Sequence, residues 1–169
     1  QPWWVTWVAR RVLEVARGVP DLVYAMVLVF AFGIGPLPGV LALAIHSFGA
    51  LGKLFSEVHE NVNAAATDGI YASGGTWAEA MRLGVLPRVL PDLLSYSLLR
   101  FEINVRSASV LGFVGAGGIG QELRFVIEQF VYTDISALVL LIIVAVSLID
   151  IGCERLRHGL IGAGVRDDG

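Results

Sequence analysis

The sequence predicts an all-α, polytopic membrane helix bundle, and three observations lead there. Apolar residues fill 56% of its 169 positions and charged residues only 16%, more apolar than the core of a soluble domain of this size needs. The mean hydropathy is +0.72. The charges are also clustered, and the apolar runs between them approach the roughly 20 residues that cross a hydrocarbon layer about 30 Å thick. A net charge of −3 points to no class of partner. No basic run is interleaved with aromatics, so nucleic acid is set aside. The one cysteine, Cys153, rules out an internal disulfide or a paired-cysteine metal site. Its apolar setting predicts an inert buried thiol. His46, His59 and His158 lie far apart in sequence, so no metal site is expected.

Residues 1–17 open with Trp3, Trp4 and Trp7 and continue with Arg10, Arg11 and Arg17. That order suits a helix ending or lying at a membrane interface. Pro20 interrupts it. Residues 21–35 and 40–55 read as two antiparallel membrane helices, joined by a small outer turn built from Gly33, Gly35, Pro36, Pro38 and Gly39. Residues 61–91 form the longest polar stretch, rich in Ala, Gly and charge and closed by Pro87 and Pro91. A helix-turn-helix outside the bilayer is expected there. Residues 93–114 make a third membrane helix with charges in its interior, followed by an outer loop. Residues 135–153 are the plainest span, a β-branched and Leu-rich run ahead of Asp150.

Placing residues 61–91 in the cytoplasm puts Arg10, Arg11, Arg17, Lys53, Arg82, Arg88, Arg155, Arg157 and Arg166 on or near that side. Only Arg124 is left outside, with Arg100 and Arg106 inside a span. The bias is strong under the positive-inside rule. It places Gly115-Ala116-Gly117-Gly118-Ile119-Gly120, a G-x-G-x-x-G string, at the outer end of the third span. A dinucleotide site would need that string to leave a buried strand and open a helix, with an acidic residue about 20 positions on. The preceding segment, interrupted by Arg100, Glu102 and Arg106, fails the test. Gly115, Gly117, Gly118 and Gly120 instead predict close helix packing at a break, or part of a gate.

The polar stretch contains Asp68-Gly69-Ile70-Tyr71-Ala72-Ser73-Gly74 and, nine residues later, Gly84-Val85-Leu86-Pro87. This spacing resembles the EAA loop of bacterial ABC importer permeases, with Asp68, Gly69 and Ile70 in place of the acidic-Ala-Ala triplet. A register starting at Asn63-Ala64-Ala65 leaves Leu-Pro five residues too late. Arg17-Gly18-Val19-Pro20 resembles the R-G-x-P ahead of a membrane helix in the same proteins. The run at residues 35–60 and the strings RFEINVR and VGAGGIGQEL look specifically like the phosphonate-importer permease, the PhnE family.

The resemblance spans nearly the whole chain from Arg17 to Arg157. It implies the type I ABC importer permease fold in a single transmembrane domain, residues 1–169, with residues 57–91 as the cytoplasmic coupling loop. The chain opens at Gln1 without an initiator Met, and the family's N-terminal membrane helix is expected upstream of it. The implied location is the bacterial inner membrane, and the implied cargo is phosphonate or a related phosphorus oxyanion. Implied partners are membrane lipid, a second permease subunit forming a homodimer, two cytoplasmic ATPase subunits and an external substrate-binding protein. ATP and Mg²⁺ would sit in the ATPase, because this chain has no G-x-x-x-x-G-K-[S/T] stretch. The chain itself is therefore expected to be non-catalytic. Alternatives are a permease for another small solute, such as an amino acid, and an ATP-independent channel.

Asp68, Gly69, Ala72, Gly74, Leu86 and Pro87 are the residues expected to couple to the ATPase. Arg100, Glu102, Arg106 and Ser107 are expected to line a translocation path or form an intramembrane charge network. Charges there cost about 2.5 to 3.5 kcal/mol each on insertion scales, so they must face a cavity or a partner. Glu102 and Arg106, four residues apart, suit an ion pair along one helix face, leaving Arg100 formally unpaired. Guanidinium groups supply charge and forked donors for a phosphorus oxyanion.

Overall fold

Prolines and glycines set most of the helix ends. The computed structural model describes residues 3–62, 65–130 and 132–164. Arg166, the acidic end at 167–169 and the start of the alternative loop register at 63–64 lie outside them. Helix α1 (Trp3–Gly18) and helix α2 (Asp21–Phe32) are bent by 87° at Val19-Pro20, where Pro20 lacks the amide needed to carry the α1 ladder on. Helix α3 (Pro36–Glu60) starts on a proline, which suits a first helical position. Next come α4 (Ala65–Ala72) and α5 (Trp77–Glu79), the latter continuing through a π-helical turn (Ala80–Val85) into α6 (Leu86–Leu111). A 3₁₀ turn (Gly112–Val114) leads to α7 (Ile119–Glu128) and finally α8 (Tyr132–Gly164). Every described element is helical.

Three runs are long and apolar enough to cross a bilayer: α3, the run from Trp77 that contains α6, and α8. Three expectations need correction. The apolar run at 21–35 is not a span by itself, because Pro20 and Gly33 confine α2 to 12 residues, about 18 Å. It reaches spanning length only together with the bent α1. Pro87 and Pro91 do not close the polar stretch ahead of the third span. Pro87 sits in the first turn of α6, where no donor is required, and Pro91 lies within the helix. The segment after the glycine string is not a loop but α7, an amphipathic helix that buries Gly120 and Leu123.

Helix α3 packs against α1, α2 and α6, and α6 packs in turn against α8. The core between α2, α3 and α6 is mostly small, with Ala25, Ala42 and Ala116 buried alongside Leu111 and packed by Tyr24, Leu28, Val29, Leu43 and Val114. Helices in lipid gain no hydrophobic drive from burying Leu, so close approach through small side chains supplies the contact instead. The large side chains of α8 point outward: Leu140, Leu141, Ile143, Val144, Leu148 and Ile151 are all exposed.

At one end of the bundle the α2–α3 turn meets the α6–α7 turn. The Gly35 amide donates to the Gly115 carbonyl at 2.9 Å. Gly117 has φ +82, and a Cβ there would lie 2.6 Å from Pro36 Cα. A Cβ on Gly39 would fall 2.5 Å from the Ala116 carbonyl oxygen, and one on Gly120 would overlap the Ser109 carbonyl oxygen. The glycine string therefore follows a helix, not a strand, and two backbones touch where its side chains would be. The opposite end carries Arg10 paired with Glu60, together with Lys53, Arg88, Arg155 and Arg157, whereas Arg124 lies at the glycine end.

Because Gly117 and Gly120 have backbone as their neighbours, Gly117→Val and Gly120→Val should each destabilise the fold by about 1 to 3 kcal/mol. Gly159→Ala, whose Cβ meets nothing within 4 Å, should leave stability unchanged or slightly raised. Thermal unfolding midpoints in detergent test the contrast; equal midpoints for all three variants would contradict it.

Candidate functional site

Hydrocarbon offers no hydrogen bonds, so polar groups on membrane helices must find partners within the protein. Helix α3 contributes His46 and Ser47, and α6 contributes Arg100 and, one turn on, Asn104. Arg100 Nε donates to Ser47 Oγ at 3.1 Å, and its terminal nitrogen lies 2.8 Å from His46 Nδ1. Asn104 Nδ2 donates to Ser47 Oγ at 2.8 Å, and the Ser47 hydroxyl lies 3.1 Å from Asn104 Oδ1. A guanidinium can only donate, so His46 Nδ1 is an acceptor here. Its Nε2, 3.3 Å from the Arg17 carbonyl, then carries the hydrogen.

Arg100 is thus hydrogen-bonded, although, as expected, it has no ion-pair partner among the described residues. Its partners are all neutral. Among the described residues no carboxylate lies within ion-pair distance of it. Sequence alone sets His46 aside as a metal ligand and does not pick out Ser47 or Asn104. The available signal was Asn104 four residues after Arg100, on the same helix face.

Arg106 has the opposite surroundings. Its terminal nitrogen lies 3.2 Å from Glu102 Oε1, the expected pair one turn apart, and 3.0 Å from Asp150 Oδ2 on α8. Two carboxyl groups thus share one guanidinium. Asp150 Oδ1 is buried without a hydrogen-bond partner. Asp150 was not picked out from sequence, because its partner is 44 positions away. Arg106 and Ser107 also line a cavity of about 270 Å³ with Asp21, Ile103 and Val110.

In the polar segment, Asp68 lies in the first turn of α4, where a carboxylate suits the helix dipole. Asp68, Gly69, Tyr71 and Ala72 are exposed. Gly74 and Gly75 have a local task. At φ +84, Gly74 donates to the Tyr71 carbonyl at 3.0 Å, while Gly75 donates to Ile70 at 2.9 Å. This double bond pattern ends a helix through a left-handed glycine. The space above Gly75 is filled by Ile70, so of the small residues Gly69, with open space above it, is the freer for a partner. Leu86 and Pro87 are exposed at the start of α6, beside Leu83 and Trp77. Thr76 and Glu79 form a reciprocal cap on α5: the Thr76 amide and hydroxyl donate to Glu79 Oε2 at 2.7 and 2.9 Å. The Thr76 amide, followed by its hydroxyl, holds the Glu79 carboxyl below its ordinary value.

The family described as the binding-protein-dependent transport system inner membrane component matches residues 1–158. The chain belongs to this family. It is 41% identical over 150 residues to the phosphite transport system permease protein PtxC of Stutzerimonas stutzeri, covering 89% of this chain and 54% of that protein. It is 51% identical over 122 residues to an Escherichia coli K12 protein carrying the name of a cryptic phosphonate transport system permease, PhnE2. That match covers 72% of this chain and all of the relative. The chain spans about half the length of the phosphite permease it matches. Its fold is that of a chain in the MetNI methionine ABC transporter, solved in inward-facing conformations, with a TM-score of 0.70 and 20% identity over 89% of this chain and 73% of that one. The all-α permease fold expected from sequence is the fold found. As an inner membrane component with three helices able to cross a bilayer, the chain is an integral membrane protein.

Two outcomes follow for this family member. A double-mutant cycle of Arg106→Gln and Asp150→Asn should give a coupling on the order of 1 kcal/mol between α6 and α8, read from unfolding in detergent; additive effects would remove the link. The Glu79 cap stabilises above the ordinary carboxylate range near 4.3 and is lost as pH falls through the lowered folded value. Amide exchange at residues 76–85, corrected for intrinsic rate, should accelerate in acid; Thr76→Ala, which keeps the amide and loses the hydroxyl, should weaken that pH dependence, and Glu79→Gln should abolish it.

Proposed function

We propose that this chain is the membrane-embedded permease subunit of an ATP-driven importer that carries phosphonate, phosphite or phosphate inward across the bacterial inner membrane. The carrying observation is the extended identity to a phosphite permease, 41% over 150 residues. In the working transporter a second permease copy completes the path, two cytoplasmic ATPase subunits bind ATP and Mg²⁺, and an external binding protein delivers the anion. The chain itself hydrolyses nothing.

Arg100 is the side chain suited to meet the cargo. Its hydrogen-bond partners are all neutral and the Asp21 carboxylate acts on it only from beyond ion-pair distance, so it retains attraction for an oxyanion, whereas Arg106 already touches two carboxylates. Arg106, Glu102 and Ser107 then belong to a structural charge network, and the asymmetry favours one cargo contact over two. An importer must release what it carries, and a single guanidinium with neutral neighbours binds an anion weakly enough to let it go. The exposed face of α4 at Asp68, Gly69 and Ala72, with Leu86 and Pro87, docks on the ATPase and transmits its closure as a rigid lever. Gly115, Gly117, Gly118 and Gly120 hold the outer helix ends together and form the hinge of the external gate.

The full-length transporter, reconstituted with its ATPase and binding protein, should show ATPase activity stimulated by one phosphorus oxyanion and not by an amino acid. Arg100→Gln should cut transport at least tenfold with assembly and basal ATPase activity retained, whereas Arg106→Gln should act mainly on stability. Gly69→Trp, which has room to fold, should block ATPase association. Stimulation by an amino acid alone would discard the cargo assignment, and passive flux without ATP would discard the importer.

A further inference from the structure

Arg100 is fixed along one edge and open along the other. A guanidinium carries its N–H donors in a rigid plane. The edge formed by Nε and Nη2 is taken by α3: Nε donates to Ser47 Oγ at 3.1 Å and Nη2 to His46 Nδ1 at 2.8 Å. Nη1, which with Nη2 forms the end fork, donates to no acceptor among the described residues. We propose that His46 and Ser47 are positioning residues that tie the side edge of Arg100 to α3, so that its end fork meets two oxygens of the cargo at once. The inference rests on the assignment of Arg100 to the cargo.

Each acceptor is itself anchored. Asn104, one turn beyond Arg100 on α6, donates to Ser47 Oγ at 2.8 Å, and the far nitrogen of His46 lies 3.3 Å from the Arg17 carbonyl at the end of α1. Three helices therefore hold one side chain. An arginine loses much rotamer freedom when it is ordered, and a group ordered before its ligand arrives spends less of the binding energy on that loss. Phosphonate, phosphite and phosphate share an edge of two phosphorus-bound oxygens, which a planar fork matches with two parallel hydrogen bonds. The carbon, hydrogen or third oxygen that distinguishes them lies off that edge. Arg100 thus reads what these anions have in common, and an ammonium group, which has no fork, would not replace it.

The test uses the full-length transporter reconstituted with its ATPase and binding protein, with phosphite as the cargo, and measures anions carried per ATP hydrolysed. A misaimed fork lowers that ratio, whereas a general loss of structure lowers transport and hydrolysis together. His46→Phe, which keeps a ring and loses the Nδ1 acceptor, should lower the ratio about fivefold, roughly the worth of one hydrogen bond. His46→Asn, whose Oδ1 can stand in for Nδ1, should recover most of it. Ser47→Ala, a small change in volume, should also lower it, and Arg100→Lys should be as impaired as Arg100→Gln. A normal ratio in both His46→Phe and Ser47→Ala, beside a failing Arg100→Gln, would leave Arg100 on the cargo and overturn the positioning. Parallel losses of transport and hydrolysis in these two variants would overturn it as well, and a working Arg100→Lys would show that charge suffices without the fork. An unimpaired Arg100→Gln would remove the cargo assignment and this inference with it.

Discussion

Two backbones touch with no side chain between them where Gly35 donates its amide to Gly115 and Gly117 lies against Pro36. Much of the bundle depends on that contact. It fixes the α2–α3 turn to the α6–α7 turn and thereby sets the register of α3 against α6. In lipid the helices gain little by burying large apolar groups, and the buried cluster next to the contact is accordingly Ala25, Ala42, Leu111 and Ala116. A larger residue at Gly117 would separate the helix ends and shift the polar partners further along them.

The register matters because the polar contacts of the membrane helices are few and specific. Ser47 bonds both Arg100 and Asn104, and His46 accepts from Arg100 while its other nitrogen faces Arg17. A slip of one residue on α3 would put a neighbouring apolar side chain opposite Arg100 and strand a charge in hydrocarbon, which is costly. The ionic link from Arg106 to Asp150 does the same for α6 and α8. The bundle is therefore oriented by a handful of directional interactions and held together by close approach, with the large side chains of α8 facing outward.

Two arginines six positions apart on one helix look equivalent in the sequence. Their partners make them different: one faces neutral groups, the other two carboxylates. The polar segment divides in a similar way. Gly74 and Gly75 serve the end of α4, and Gly69 has open space above it.

Hydrophobic content and the spacing of charge were enough to read the all-α membrane class, the three long helices and the i to i+4 pair of Glu102 with Arg106, because these depend on local composition and on the helical period. The loop spacing and the longer strings pointed to the permease family. Tertiary structure decided the rest. That α2 is too short to cross alone follows from where Pro20 and Gly33 end its ladder, and that α7 is a helix follows from the burial of Gly120 and Leu123. Asp150, Ser47 and His46 joined the site only through contacts spanning 44 to 57 positions. Such pairings arise from how helices pack, and no local pattern in the sequence encodes which side chain will stand opposite another.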